Sequence, residues 1–104
     1  MAMNPQAMMK QAKKMQKKME EVQAQCALET VEATAGGGMV TVKVSGDLKV
    51  KEVTIDPEAV DPEDVEMLQD MIVAAVNQGI ADAQAMTNER MSAVTSGLSA
   101  MGLF

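Results

Sequence analysis

Residues 35–57, AGGGMVTVKVSGDLKVKEVTIDP, leave this chain little choice of fold. Gly36, Gly37 and Gly38 interrupt any regular element, and the turn they make is expected to place Gly37 or Gly38 at positive φ, where a Cβ is costly. Val40, Val42 and Val44 then alternate with Thr41, Lys43 and Ser45, the two-residue period of a half-buried strand. Ser45-Gly46-Asp47 reads as a short turn, and a second β-branched run from Leu48 to Ile55 completes a hairpin. The phase changes within that run: Leu48 and Val50 share one face, Val53 and Ile55 the other. A bulge near Lys51-Glu52 reconciles them, because one extra residue re-aims every side chain after it. Asp56-Pro57 ends the strand. Residues 28–34, LETVEAT, form a weaker strand candidate running into the glycines, so residues 28–56 are expected to fold as an antiparallel β-meander. A two-stranded hairpin alone is marginal in water and needs more strands or a covering helix.

Both flanks supply helices. Residues 5–27 read as a long helix, with Asn4 as N-cap and Pro5 in the first turn. Met8, Ala12, Met15, Met19, Val22 and Cys26 follow the alternating four-and-three spacing of a coiled-coil seam. At about 100° per residue, Lys10, Lys13, Lys14, Lys17 and Lys18 cluster within an arc of roughly 140° opposite that seam. Such a helix is on the order of 30 Å long, more than a small hairpin covers, so part of it should project. Residues 61–91 read as a second long helix, with Asp61 as N-cap, Pro62 at the first position and Glu63, Asp64 and Glu66 where the helix dipole favours anions. Val65, Leu68, Ile72, Ala75, Val76, Gly79, Ile80, Ala83 and Met86 make a broad apolar face, widened by Met67, Met71 and Ala74, suited to contacts on two sides. Residues 92–104 are small and uncharged and are expected to add a short helical turn or a flexible tail. The 104 residues are enough for one domain, here an α+β one.

Twelve Met stand against one Phe and no Trp or Tyr, so the core lacks the side chains that bury the most area. A small aromatic-poor core, an overlong helix and a two-sided second helix together predict a dimer, with Met8, Met15, Met19, Val22, Met67 and Met71 as interface candidates. The net charge is −6, but residues 1–18 hold five Lys and no acid. The rest has four basic and fifteen acidic residues, a net of −11. A basic arm on an acidic body can still take a polyanion. Without Arg on that face, bidentate reading of guanine is not offered; without aromatics, neither is base stacking. Any DNA binding should therefore be largely independent of sequence. The bland reading of the same lysines is a solvated helix face.

Other chemistry finds little support. With no His, the commonest general base and metal ligand are missing. The glycines lack the G-x-x-x-x-G-K-[ST] pattern and lead into a strand, so they read as a turn rather than a phosphate loop. The acids from Asp56 to Glu66 lack the order of a calcium loop and have capping roles. Cys26 sits on the seam as a buried or interfacial thiol, and a single cysteine cannot close an internal disulfide. Lys interrupts every apolar run near the N-terminus, so no signal peptide or membrane span is expected. No enzymatic activity, cofactor, metal, small-molecule substrate or membrane partner is expected.

MMKQAKKMQKKMEEVQ, the glycine-led hairpin, EDVEMLQDMIVAAVNQG and MSAVTSG together resemble the YbaB/EbfC family of bacterial nucleoid-associated proteins, in order and spacing, over nearly the whole chain. The resemblance implies a homodimer with sheets joined across subunits and helical arms projecting like tweezers. It implies binding to double-stranded DNA in the cytoplasm and on the nucleoid, with effects on nucleoid organisation and gene expression. The family pattern carries basic pairs midway along the second helix. Here Gly79-Ile80-Ala81-Asp82 stands in that place, with Arg90 further on. The DNA-binding candidates are thus Lys10, Lys13, Lys14, Lys17, Lys18 and Arg90. The alternative is a protein-interaction module that recruits replication or recombination proteins through its Met-rich helix faces.

Overall fold

The computed structural model describes residues 4–100, with side chains through residue 97. The element order is α1 (Pro5–Leu28), β1 (Thr30–Ala35), β2 (Val40–Ser45), β3 (Val50–Ile55), a short 3-10 turn (Pro57–Ala59) and α2 (Val65–Ala100). The three strands form one antiparallel sheet in the order β1-β2-β3. The expected α+β class, with two long helices around a three-stranded meander, is what the chain adopts.

The sheet's register follows the valine pattern. Val40, Val42 and Val44 pair with Ala35, Ala33 and Val31 on one side and with Ile55, Val53 and Val50 on the other. The β2–β3 register shifts between Lys43 and Val44, opposite Glu52 and Val50, so Lys51 is the extra residue of the bulge. That shift brings Val50 onto the same face as Val53 and Ile55. Gly36, Gly37 and Gly38 all have positive φ in the β1–β2 turn, as does Leu48 in the β2–β3 turn. On the outer face Lys43 lies 3.7 Å from Glu32 and 3.4 Å from Glu52, a charge pair to each neighbouring strand.

α2 covers β1 and β2 with its small residues. Val40, Val42, Val44, Ala75 and Ala83 form the buried core, flanked by Leu68, Met71, Ile72, Val76 and Ile80. A Cβ on Gly79 would stand 2.7 Å from Val44 Cγ2, so the missing side chain lets the helix settle onto the middle strand. Gly46 is tighter still: a Cβ there would meet the Cys26 carbonyl oxygen at 2.3 Å. Its N–H donates to Cys26 O and Glu29 O, both at 3.1 Å, joining the end of α1 to the β2–β3 turn.

α1 begins as expected: Asn4 Oδ1 accepts from the Gln6 N–H at 3.0 Å. It runs into the sheet at Cys26, and α2 runs away from the sheet beside it. α1 and α2 pack together there, and Met15, Met19 and Val22 on α1 and Met91 and Val94 on α2 are half-buried. The molecule measures 73 × 18 × 15 Å. It is a rod, with the sheet toward one end and the paired helices as a projecting arm.

Two helix limits differ from those expected at 61 and 91. Asp61 caps no α-helix; its carboxylate accepts from the Glu63 N–H at 2.9 Å in a turn that contains Pro62. Asp64 is the N-terminal acceptor instead, taking the Met67 N–H at 3.2 Å. At the other end α2 continues through Ala100, where a short turn or flexible tail was expected from residue 92. Lateral packing against α1 outweighs the weak helix propensity of Ser92, Thr95 and Ser96. Residues 101–104 of that tail lie outside the described residues.

Replacing Gly46 with Ala should lower stability by about 1–3 kcal/mol, since the added methyl meets backbone that cannot rotate away. A melting curve unchanged from the parent would show that the junction has slack. The turn also predicts a pH effect. The Ser45 hydroxyl bonds to the Asp47 carboxylate and, with Lys49 and Lys51, holds its pKa below the usual value. A depressed carboxylate pKa stabilises the fold above the ordinary Asp range near about 3.9 and loses that contribution as pH falls through the folded value. Thermal melting of Ser45→Ala between pH 7 and pH 3 should show a shallower acid-side loss than the parent.

Candidate nucleic-acid interface

The helix that carries the basic residues is oriented by its own apolar stripe. Because Met15, Met19, Val22 and Cys26 turn toward α2 and the sheet, Lys10, Lys13, Lys14, Lys17 and Lys18 turn outward, and all five are exposed. Four of them line one continuous concave surface together with Gln11. Glu20 and Glu21 follow one turn later, yet among the described residues no carboxylate lies within ion-pair distance of any of the five. The other cations differ. Lys43 is held between Glu32 and Glu52, and Lys49 is 3.8 Å from Asp47. Lys51, on the bulge, is the remaining cation with no such partner among the described residues.

Arg90 stands apart from the lysine face. Its guanidinium grips the Glu29 carboxylate with both nitrogens, Nη1 to Oε1 at 3.1 Å and Nη2 to Oε2 at 2.7 Å. Along α1, Glu29 lies eleven residues beyond Lys18, or about 16 Å. Sequence reasoning missed this pair, since sixty-one positions separate its members and no local spacing links them. It missed equally the Thr87 hydroxyl, which donates to Gly46 O at 3.0 Å.

The interface candidates also divide. Met15, Met19 and Val22 are half-buried within their own chain, and Met71 packs against the core. Met8 and Met67 are exposed, each at 54%. The larger uncovered apolar surface is elsewhere. β3 is open to solvent along nearly its whole length: Val50 and Val53 are about two-fifths exposed although their pairing partners Val44 and Val42 are completely buried. On α2, Ile72, Val76 and Ile80 pack against the core but stay only half-buried.

An exposed lysine array on a projecting helix, with no ion-pair partner among the described residues, can bind a polyanion. Residues 1–98 match the model of the YbaB/EbfC DNA-binding family. The chain belongs to that family. A nucleoid-associated protein of Alkaliphilus metalliredigens is 54% identical over 103 residues, covering 99% of this chain and 90% of the other. A nucleoid-associated protein of Chloroflexus aurantiacus is 48% identical over 102 residues, covering 98% of this chain and all of the other. The fold is shared with an uncharacterized protein of Helicobacter pylori, whose crystal structure matches with a TM-score of 0.74 at 22% identity, over 85% of this chain and 92% of that one. YbaB/EbfC members are nucleoid-associated DNA-binding proteins and not a known enzyme family. Among the described residues no group of three His, Cys, Asp or Glu side chains is placed to hold a metal ion, and no helix is long and apolar enough to cross a membrane.

Proposed function

We propose that this protein binds duplex DNA without sequence specificity, as a homodimer on the cytoplasmic nucleoid, through the lysine face of α1. The observation that carries the proposal is the set of five exposed lysines on the arm, with no carboxylate among the described residues to neutralise them. Lysine binds phosphate as a point charge, so affinity comes from released counterions and the backbone is read without the bases. The acidic body repels DNA and restricts contact to the arm. The reading includes no catalytic step.

The homodimer has its support in β3. A strand with free backbone edges and an apolar inner face is a template for another chain. Joining two sheets there would cover Val50 and Val53 and leave both arms outward. The Met-rich faces support recruitment of replication or recombination proteins less well, because Met15 and Met19 are half-buried within their own chain and, among the described residues, only Met8, Met9 and Met67 of the helix methionines are exposed.

Two measurements test this reading. Changing Lys13 and Lys17 to Glu should abolish most DNA binding while circular dichroism and oligomeric state stay as in the parent, since Lys and Glu have similar helix propensities. For the parent, contact with about four phosphates gives a slope near −3.6 for log K against log salt. A folded double mutant that binds as tightly as the parent would reduce the lysines to a solvated face. For the dimer, light scattering should give twice the chain mass of 11.1 kDa. Val53→Lys on β3 should shift the protein toward monomer, whereas Met8→Lys should not.

A further inference from the structure

Three elements meet at the root of the arm in a closed circuit of polar contacts. The Gly46 N–H of the β2–β3 turn donates to Glu29 O at 3.1 Å, and Gly46 O accepts from Thr87 Oγ1 at 3.0 Å. One turn further along α2, Arg90 closes the circuit on the Glu29 carboxylate with two bonds. Glu29 is also the C-cap of α1, its N–H donating to Cys26 O at 3.1 Å. One residue thus ends the arm helix, bonds to the sheet through its backbone and bonds to α2 through its side chain. A planar guanidinium on a carboxylate fixes orientation as well as distance, which a lysine cannot do.

We propose that Glu29 and Arg90 are the positioning pair of the DNA-binding arm. They set the direction of α1 relative to the sheet, and hence where the lysine face is presented, without Arg90 touching DNA. The inference rests on the reading of α1 as the DNA-binding helix and assigns Arg90 a role different from the direct phosphate contact suggested by family resemblance. Loosening the pair spreads the arm over several directions. Only part of that population matches the phosphate spacing, and apparent affinity falls by that fraction.

The test is the sign of one substitution. Glu29→Gln removes a negative charge, so if Arg90 were a phosphate contact, freeing it would leave DNA affinity equal or higher. A positioning pair predicts the reverse, a loss of about three- to fivefold with an unchanged salt slope, the size expected of a partly exposed ion pair. Arg90→Gln and Arg90→Lys should weaken binding similarly. The exchanged pair E29R/R90E, of unaltered net charge, should recover affinity to within about twofold of the parent. A structural readout independent of DNA completes the test. Spin labels at Gln16 on α1 and Thr34 on β1, in a Cys26→Ala background diluted with unlabelled chain, should give a narrow distance distribution. It should broaden in Glu29→Gln and narrow again in the exchanged pair. Equal or tighter binding by Glu29→Gln, or an unbroadened distribution, overturns the proposal. So does a loss confined to Arg90→Gln, with a slope reduced by about 0.9 per arginine. If Glu29→Gln does not fold, Arg90→Lys decides by the same two readouts. Should Lys13→Glu/Lys17→Glu retain full affinity, the DNA-binding reading has failed, and the distance distribution alone decides whether the pair fixes the arm.

Discussion

The structure depends on backbone lying against backbone where α1 meets the sheet. Gly46 can bond to both Cys26 O and Glu29 O because nothing projects from its α-carbon; any side chain would occupy the Cys26 carbonyl. That contact turns the last residues of α1 into a fixed support, and the arm is a lever held at this end. Gly79 performs the matching task on the other side, letting α2 press onto Val44. With a core of Val and Ala and no aromatic side chains, close approach substitutes for bulk: small residues bring the layers near enough for dispersion contacts to accumulate. The same economy explains why β3 stays open. α2 lies over β1 and β2, and one helix cannot also cover the third strand.

Much of this was legible in the sequence because the signals were local. The alternation of Val40, Val42 and Val44 gave the middle strand, and the phase change after Val50 gave the bulge at Lys51. The glycine triplet marked a turn with positive φ at Gly37 or Gly38, and the structure has it at all three positions. The Met seam was legible as a stripe, but its partner was not, because periodicity says that a face is buried and not what buries it. In the structure Met15, Met19 and Val22 are half-buried within their own chain, where α1 packs against α2. For the same reason the end of α2 was misplaced: Ser92, Thr95 and Ser96 are modest helix formers, and only the neighbouring α1 makes the extension favourable. Asp61 and Asp64 are both competent caps, and local spacing does not decide between them; Asp61 closes a turn and Asp64 receives the helix N–H. The lysine face could be drawn from spacing alone. The Glu29–Arg90 pair could not, since it exists only once the fold brings positions 29 and 90 together.

Charge placement links the fold to the family's activity. Lys43, Lys49 and Arg90 belong to the body and its junction with the arm, and each has its carboxylate. The five lysines of α1 belong to the arm and have none among the described residues. Uncompensated positive charge is tolerated there because the helix projects: its lysines face water, where repulsion between neighbours is screened within about 10 Å at moderate salt. Placed over the acidic body, the same lysines would form internal ion pairs and have nothing left for phosphate.

This separation bears on what kind of DNA binding the proposed reading describes. An arm bearing lysines alone gains affinity from counterion release, which is similar for every sequence and weakens steeply with salt. Orientation must then come from the scaffold, because no bidentate contact to a base edge holds the protein in register. A flexible arm would spread its charges over many directions and lose much of the advantage of having them on one face. A helix fastened through Cys26 and Glu29 to the β2–β3 turn and to Arg90, and laid along α2, presents all five together. Rigidity at the root of the arm is therefore a requirement of the charge pattern at its tip, and the polar circuit around Gly46 supplies it.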